Sequence, residues 1–249
     1  MATADEAAAA RRARLPDQAS IVGQGEFTSR RGNKYTIIKT SELDAYERPL
    51  AAEELATAGA ARLKPGDDFA GTDRRDAKLS IVNAKTEQFD DLQKLLASLT
   101  PDNKMEAHQP PLKEDASFQR VKEEQRNVRV RAFLYAASRE TDNDFHFIVG
   151  RDPKSPPAYM NMELSGLPPK ASPTFARLDA ARSAYKTFVQ NQLPGPGYHH
   201  YDPPIPIDVE GSLFFDITHA HGTHPGPAKI RPATIWEVHP ISHIVFEPT

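Results

Sequence analysis

The sequence predicts an α+β fold: a C-terminal OB-like five-stranded β-barrel with one helix between strands three and four, preceded by a small mixed α/β part. Two observations lead there. In the second half the apolar periodicity reads as three strands, one helix and two strands, the element order of the five-stranded Greek-key barrel. In the first half, short strand-like and helix-like runs end at a polar, proline-containing stretch over residues 100–113, which has the composition of a linker. The expected organisation is a flexible tail over residues 1–20, a mixed region over 21–115 and the barrel over 116–249.

In the first half, the turn-forming Arg30-Arg31-Gly32-Asn33 lies between two β-rich runs, which predicts a hairpin. An alanine-rich helix is expected over residues 51–63, before Pro65-Gly66, and a strand over residues 78–82. Phe89, Leu92, Leu96 and Leu99 recur at spacings of three and four, so a core-facing helix is expected over residues 86–99.

In the second half, Val128, Val130, Ala132 and Leu134 alternate with Arg129, Arg131, Phe133 and Tyr135, the pattern of a strand with one buried face. The turn signal Asp142-Asn143 leads into a second strand over residues 144–149, and residues 159–164 make a third. Ser172-Pro173 offers an N-cap and a first-turn proline, followed by a stripe of Phe175, Leu178, Ala181, Tyr185 and Phe188. The helix ends before Pro194-Gly195-Pro196-Gly197; a long fourth strand follows, with a bend expected at Gly211. Residues 234–239 and 241–246 complete the barrel as one strand or two.

Composition narrows the chemistry. The chain has 249 residues, a formal net charge of −3 and no cysteine. No global field attracts nucleic acid, and disulfides, thiolate metal sites and cysteine nucleophiles are excluded. No apolar run approaches the roughly 20 residues of a membrane helix. The basic group Arg11, Arg12 and Arg14 follows an alanine run rather than preceding an apolar one, so a cytoplasmic location is expected.

Three clusters mix imidazole with carboxylate: Asp142-Asn143-Asp144-Phe145-His146, Asp216-Ile217-Thr218-His219-Ala220-His221 and Trp236-Glu237-Val238-His239-Pro240. Strand alternation puts Asp144 with His146, and Glu237 with His239, on single faces. If the strands bring these faces together, Asp144, His146, Asp216, His219 and His239 form a ligand set for a divalent metal ion, with Glu237 or Glu163 as general base. The alternative is a set of hydrogen-bonding residues bracing strand ends. His199, His200, His221 and His224 fall in or beside expected loops and read as polar surface. Arg129, Arg131, Phe133 and Tyr135 interleave phosphate-pairing and base-stacking types, the pattern by which an OB-like face binds single-stranded nucleic acid.

From Glu124-Gln125-Arg126-Asn127-Val128 through Asp144-Phe145-His146, Gly211-Ser212-Leu213-Phe214-Phe215-Asp216 and Trp236-Glu237-Val238-His239-Pro240, the chain resembles a group of uncharacterised bacterial proteins. That group has an Asp-x-Asp-x-His strand and a closing Glu-x-His-Pro strand. The resemblance covers about residues 120–248 and implies a coherent module of bacterial origin with Asp144, His146, Asp216, Glu237 and His239 at its recurring positions. It implies no activity. Three functions stay open: a ligand-binding module for an oligonucleotide or another extended ligand, a metal-dependent hydrolase of phosphodiester or similar bonds, and a structural or assembly protein.

Overall fold

Alternating apolar residues and one long helix build a mixed α+β fold around a single eight-stranded sheet. The computed structural model describes residues 3–43, 66–219 and 224–249. The alanine-rich helix expected over residues 51–63, and the residue His221, lie outside the described residues.

An N-terminal helix, α1 (Ala4–Arg14), is started by a capping box between Thr3 and Glu6. The hairpin follows as β1 (Ile21–Thr28) and β2 (Lys34–Thr40). Its turn closes with a 2.8 Å bond from Ser29 N to Asn33 O and places Gly32 at φ +85, a conformation that glycine adopts without a Cβ penalty.

The run over residues 78–82 is not a strand. Lys78 ends a four-residue helix, α2 (Arg75–Lys78), and the Val82 amide donates to the Ser212 hydroxyl rather than to a ladder. The expected helix over residues 86–99 is also divided. Residues Glu87–Phe89 form β3, paired parallel to the fourth strand, and the Asp91 carboxylate caps a shorter α3 (Leu92–Ala97) through the Gln93 amide. A side-chain cap fixes where a helix begins more strongly than apolar spacing does. A further short helix, α4 (Asp102–Glu106), follows.

The remaining strands are β4 (Asn127–Arg139), β5 (Phe145–Gly150), β6 (Tyr159–Leu164), β7 (His199–Phe215) and β8 (Trp236–Phe246), with α5 (Phe175–Phe188) between β6 and β7. Helix α5 begins at Phe175 with Thr174 in the cap position, because Ser172 and Pro173 belong to the preceding turn, where the Ser172 carbonyl accepts from Phe175 N. The two short closing segments are one continuous strand, β8. Pairing shifts register on both sides of Gly211, the bend that the glycine implied.

The pairings fix the topology. β4 pairs antiparallel with β5, β5 with β6, β8 with β7 and β7 with β4, while β6 and β8 run parallel. β1 and β2 join through β7, and β3 adds at the other side of β4, so strands from before and after residue 115 share one sheet.

One set of alternating residues makes the core: Phe145, Phe147 and Val149, then Met160, Met162 and Leu164, then Leu213 and Phe215, then Trp236 and Val238. Helix α5 lays Tyr185 against Phe147 and Phe145, with ring centroids 4.7 Å and 5.2 Å apart. Burying each such side chain stabilises the fold by about 1.5–3 kcal/mol. The other set on β5, β6 and β8 is also buried, yet it carries His146, Asn161, Glu163, Glu237 and His239.

Candidate metal centre

Cross-strand register assembles the polar face. His146 on β5 pairs with Glu163 on β6, and Asn161 on β6 pairs with Glu237 on β8. Because β6 and β8 run parallel, Glu163 and His239, each two residues further along, also come side by side. Phe214 on β7 stands opposite Glu237. A single sheet face therefore presents two imidazoles, two carboxylates and an amide.

Flanking segments add the rest. Asp144 lies just before β5, where its Oδ1 accepts the Gly166 amide. Asp216 follows β7 in a turn, with Oδ1 accepting from Thr218 N at 3.0 Å and from the Thr218 hydroxyl. That turn leaves Asp216 Oδ2 facing Lys78 Nζ at 3.7 Å and His219 Nδ1 at 3.6 Å.

A strap over residues 67–82 covers the face. It is held by the Asp68–Leu167 bridge, by the Arg74 guanidinium bonded to Glu124 and to the Phe215 carbonyl, and by Arg120. Arg120 donates to the carbonyls of Leu213, Ala77, Ser80 and His239, so one side chain ties the strap to β7 and β8. Under this cover Asp144, His146, Asn161, Glu237 and His239 are 0% exposed and Glu163 is 1% exposed.

Around His239 the ring Nδ1 stands 3.0 Å from Glu163 Oε2 and 3.5 Å from Glu237 Oε2, and Nε2 stands 3.4 Å from Asp144 Oδ2. None of these contacts has hydrogen-bond geometry. Asp144 Oδ2, Glu163 Oε2, both Glu237 oxygens, both His239 nitrogens and both polar atoms of Asn161 have no hydrogen-bond partner among the described residues. Each such buried atom costs about 1–3 kcal/mol, more where it is charged. Ligand atoms about 2.1 Å from a shared ion stand roughly 3.0 Å apart at octahedral angles and 3.4 Å apart at tetrahedral angles. On the Nδ1 side of His239 the separations to Glu163 and Glu237 lie close to that range, while Asp144 faces the other ring nitrogen, Nε2.

Charge at the site is unbalanced in one direction. Burial, reinforced by neighbouring carboxylates, pushes Asp144 and Glu237 well above the usual carboxylate range. Burial works against Glu163 and Asp216 too, yet His239 and Lys78 hold Glu163 well below that range, and Lys78 and His219 hold Asp216 below it. Lys78 stays charged despite burial because Asp216, Glu163, Asp142 and Asp144 surround it. Burial lowers His239 against the opposing pull of Glu163. Glu163 and Asp216 thus hold the charge opposite Lys78, and burial keeps protons on Asp144 and Glu237 that a divalent cation would displace.

Three groups have ligand atoms within 4.8 Å of one another: Asp144, Glu163 and His239; Asp216, His219 and Glu237; and Glu140, His146 and Glu163. In the last, Glu140 Oε1 lies 2.7 Å from His146 Nδ1, and burial pushes the Glu140 carboxyl up to about 8 against the pull of that bond. Glu140 also lines a surface cleft of about 420 Å³, with Lys78, Asp142 and Thr72. A larger hollow of about 680 Å³ over Thr187 and Phe188 lies away from this chemistry.

The structure thus brings together Asp144, His146, Glu163, Asp216, His219, Glu237 and His239. It gives Arg129, Arg131, Phe133 and Tyr135 other work. Arg129 is bidentate on Asp208 at 2.7 and 3.1 Å, and Arg131 lies 3.8 Å from the same carboxylate. Tyr135 is buried beside Tyr159, with Phe133 packed on its cluster, and donates to the Arg151 carbonyl. His199 and His200 are not loop residues but buried positions on β7; burial pushes His199 down to about 4, and His200 meets Glu42 at 3.0 Å.

Sequence reasoning passed over Lys78, Glu140, Arg120 and Asn161. Asn161 left a signal, since it and Glu163 share one face of an otherwise apolar strand. Lys78 and Arg120 left none, because their place depends on a strap that returns over the sheet.

Compared with known proteins, the chain matches no family model, no curated protein and no solved structure. No helix among the described residues is long and apolar enough to cross a membrane.

Proposed function

We propose that this protein is a divalent-metal-dependent hydrolase whose scaffold is an OB-like barrel of β4, β5, β6, β8 and β7. Support for the barrel comes from pairings that return to their start, with the single parallel pair between its third and fifth strands and the long helix between its third and fourth. The observation that carries the function is the set of unpartnered ligand atoms on the fully buried Asp144, Glu163, Glu237 and His239. A brace for strand ends pairs its polar atoms with backbone; Asp144 does so through one oxygen only, leaving Oδ2 unpaired.

Asp144, Glu163 and His239 hold the ion, and Arg120 on the His239 carbonyl fixes the ligand strand. A divalent ion at such a site polarises an ester oxygen and lowers the pKa of water. Substrate enters by the cleft, where Glu140 is the proton-transferring side chain and Lys78 supplies positive charge for a developing oxyanion. The oligonucleotide-binding reading finds less support, because Arg129 is already bidentate on Asp208 and Tyr135 is buried.

The test is elemental analysis of protein purified without an affinity tag, followed by a panel of chromogenic phosphodiester and carboxylic ester substrates with Mn²⁺ and Zn²⁺. The expected result is stoichiometric metal and metal-dependent turnover that Glu140→Gln lowers by roughly 10²–10⁴-fold. Less than about a tenth of an equivalent of metal, with no thermal shift on adding either ion, overturns the reading.

A further inference from the structure

We infer that the centre is dinuclear, with a second divalent ion held by Asp216, His219 and Glu237, and with the Glu237 carboxylate bridging the two ions. The inference rests on the metal-centre reading above and extends it. Glu237 is the hinge of the case. It is 0% exposed, and neither of its oxygens has a hydrogen-bond partner among the described residues. The two oxygens face different groups: Oε2 lies 3.5 Å from His239 Nδ1, beside Glu163, and Oε1 lies 4.0 Å from His219 Nδ1, beside Asp216. A carboxylate serving one ion usually spends its second oxygen on a hydrogen bond. Here the second oxygen faces Asp216 and His219, with which it completes a three-residue ligand group.

Charge leads to the same place. Asp144, Glu163, Asp216 and Glu237 are all buried, and Lys78 is the ammonium among them. With metal displacing the protons that burial holds on Asp144 and Glu237, the four carboxylates and Lys78 carry a net charge of −3; one divalent ion leaves −1 and a second brings the set to +1. The fixed turn at Asp216 fits a ligand role: Thr218 occupies Oδ1 and leaves Oδ2 toward the shared space. In two-metal sites the ions clamp the attacking and leaving oxygens of one displacement, so a bridged pair suits hydrolysis of a phosphoester.

The experiment strips the full-length untagged protein with chelator, reloads it with Mn²⁺, removes free ion by gel filtration and measures bound manganese together with its electron paramagnetic resonance spectrum. About two equivalents per chain and an exchange-coupled spectrum are expected. The double variant Asp216→Asn, His219→Ala should bind half as much and give the spectrum of an isolated ion. Should that variant fail to fold, the wild-type spectrum decides alone. One equivalent, or two without exchange coupling, overturns the bridge and leaves a mononuclear centre standing. No bound manganese overturns the metal reading itself.

Discussion

Glu163 and His239 sit side by side on the parallel strands β6 and β8, with Oε2 and Nδ1 3.0 Å apart and no hydrogen bond between them. Buried and at that distance, the two groups are placed to share the ion of the proposed centre. The surrounding fold imposes this arrangement through strand register, not through side-chain freedom. Its consequences for stability and metal binding are direct.

Metal removal should destabilise the protein. A ligand that binds only the folded state at a hundredfold excess over its Kd contributes about 2.7 kcal/mol, or roughly 5–10 °C in Tm for a chain of this size. Differential scanning fluorimetry with EDTA, then with added Zn²⁺ or Mn²⁺, reads the shift. An unchanged Tm in both arms would count against a resident ion.

Neutralising Glu237 separates a metal ligand from a structural brace. In chelator-treated protein, Glu237→Gln should raise Tm, because it removes a buried carboxylate that has no partner and stands near Glu163 and Asp216. The same variant should lose most of the metal-induced stabilisation. If Glu237 only braced the sheet, the substitution would lower Tm whether or not metal was present.

Much of this was readable beforehand, and the exceptions share a cause. Alternation in β5, β6 and β8 is a local property, so the shared faces of Asp144 with His146 and of Glu237 with His239 followed from spacing alone. The bend at Gly211 and the helix between β6 and β7 followed too. What spacing could not show was that the polar face is also buried. That depends on the strap over residues 67–82 crossing back on the sheet, pinned by Arg74 and Arg120. The same long-range contacts turned the run at residues 78–82 from a strand into a cover, and gave Arg129 to Asp208 rather than to a ligand.

Arg182 should be among the most sensitive positions outside the centre. It is 1% exposed and donates to the carbonyls of Asn143, Leu164 and Ser165 and to the Asp67 carboxylate. Arg182→Met leaves those acceptors unpaired at the ends of β5 and β6, at an expected cost of about 3–5 kcal/mol. Urea denaturation measures it; a loss below about 1 kcal/mol would show that water replaces the guanidinium.

The Asp67 carboxylate gives the fold an acid-sensitive element. Burial acts against its charge, but bonds from Lys186 and Arg182 outweigh burial and hold it below the usual carboxylate range. A carboxylate depressed in the folded state contributes stability that is present above its unfolded pKa near 4 and lost as pH falls through the lower folded value. Asp67→Asn should therefore lower Tm at pH 7 and leave a shallower decline of stability below about pH 4. Parallel Tm curves for the two proteins across that window would remove Asp67 from the account.

Gly211→Ala should damage the proposed metal centre without touching a proposed ligand. A Cβ at this position would stand 2.4 Å from the Pro240 carbonyl oxygen and 2.6 Å from Val238 Cγ1, well inside van der Waals contact. Both are neighbours of His239 on β8, so the added methyl cannot be absorbed by a side chain alone and must push the ligand strand. Overpacking of this kind costs about 1–3 kcal/mol. A ligand displaced by a fraction of an ångström also loses its angle to the ion, and disturbing such supports lowers metal affinity by roughly 10–100-fold. Titration of chelator-treated Gly211→Ala with Zn²⁺ by calorimetry should show that weakening alongside a lowered Tm. Wild-type affinity together with the lowered Tm would mean that β8 yields at Pro240 while Glu237 and His239 stay in place.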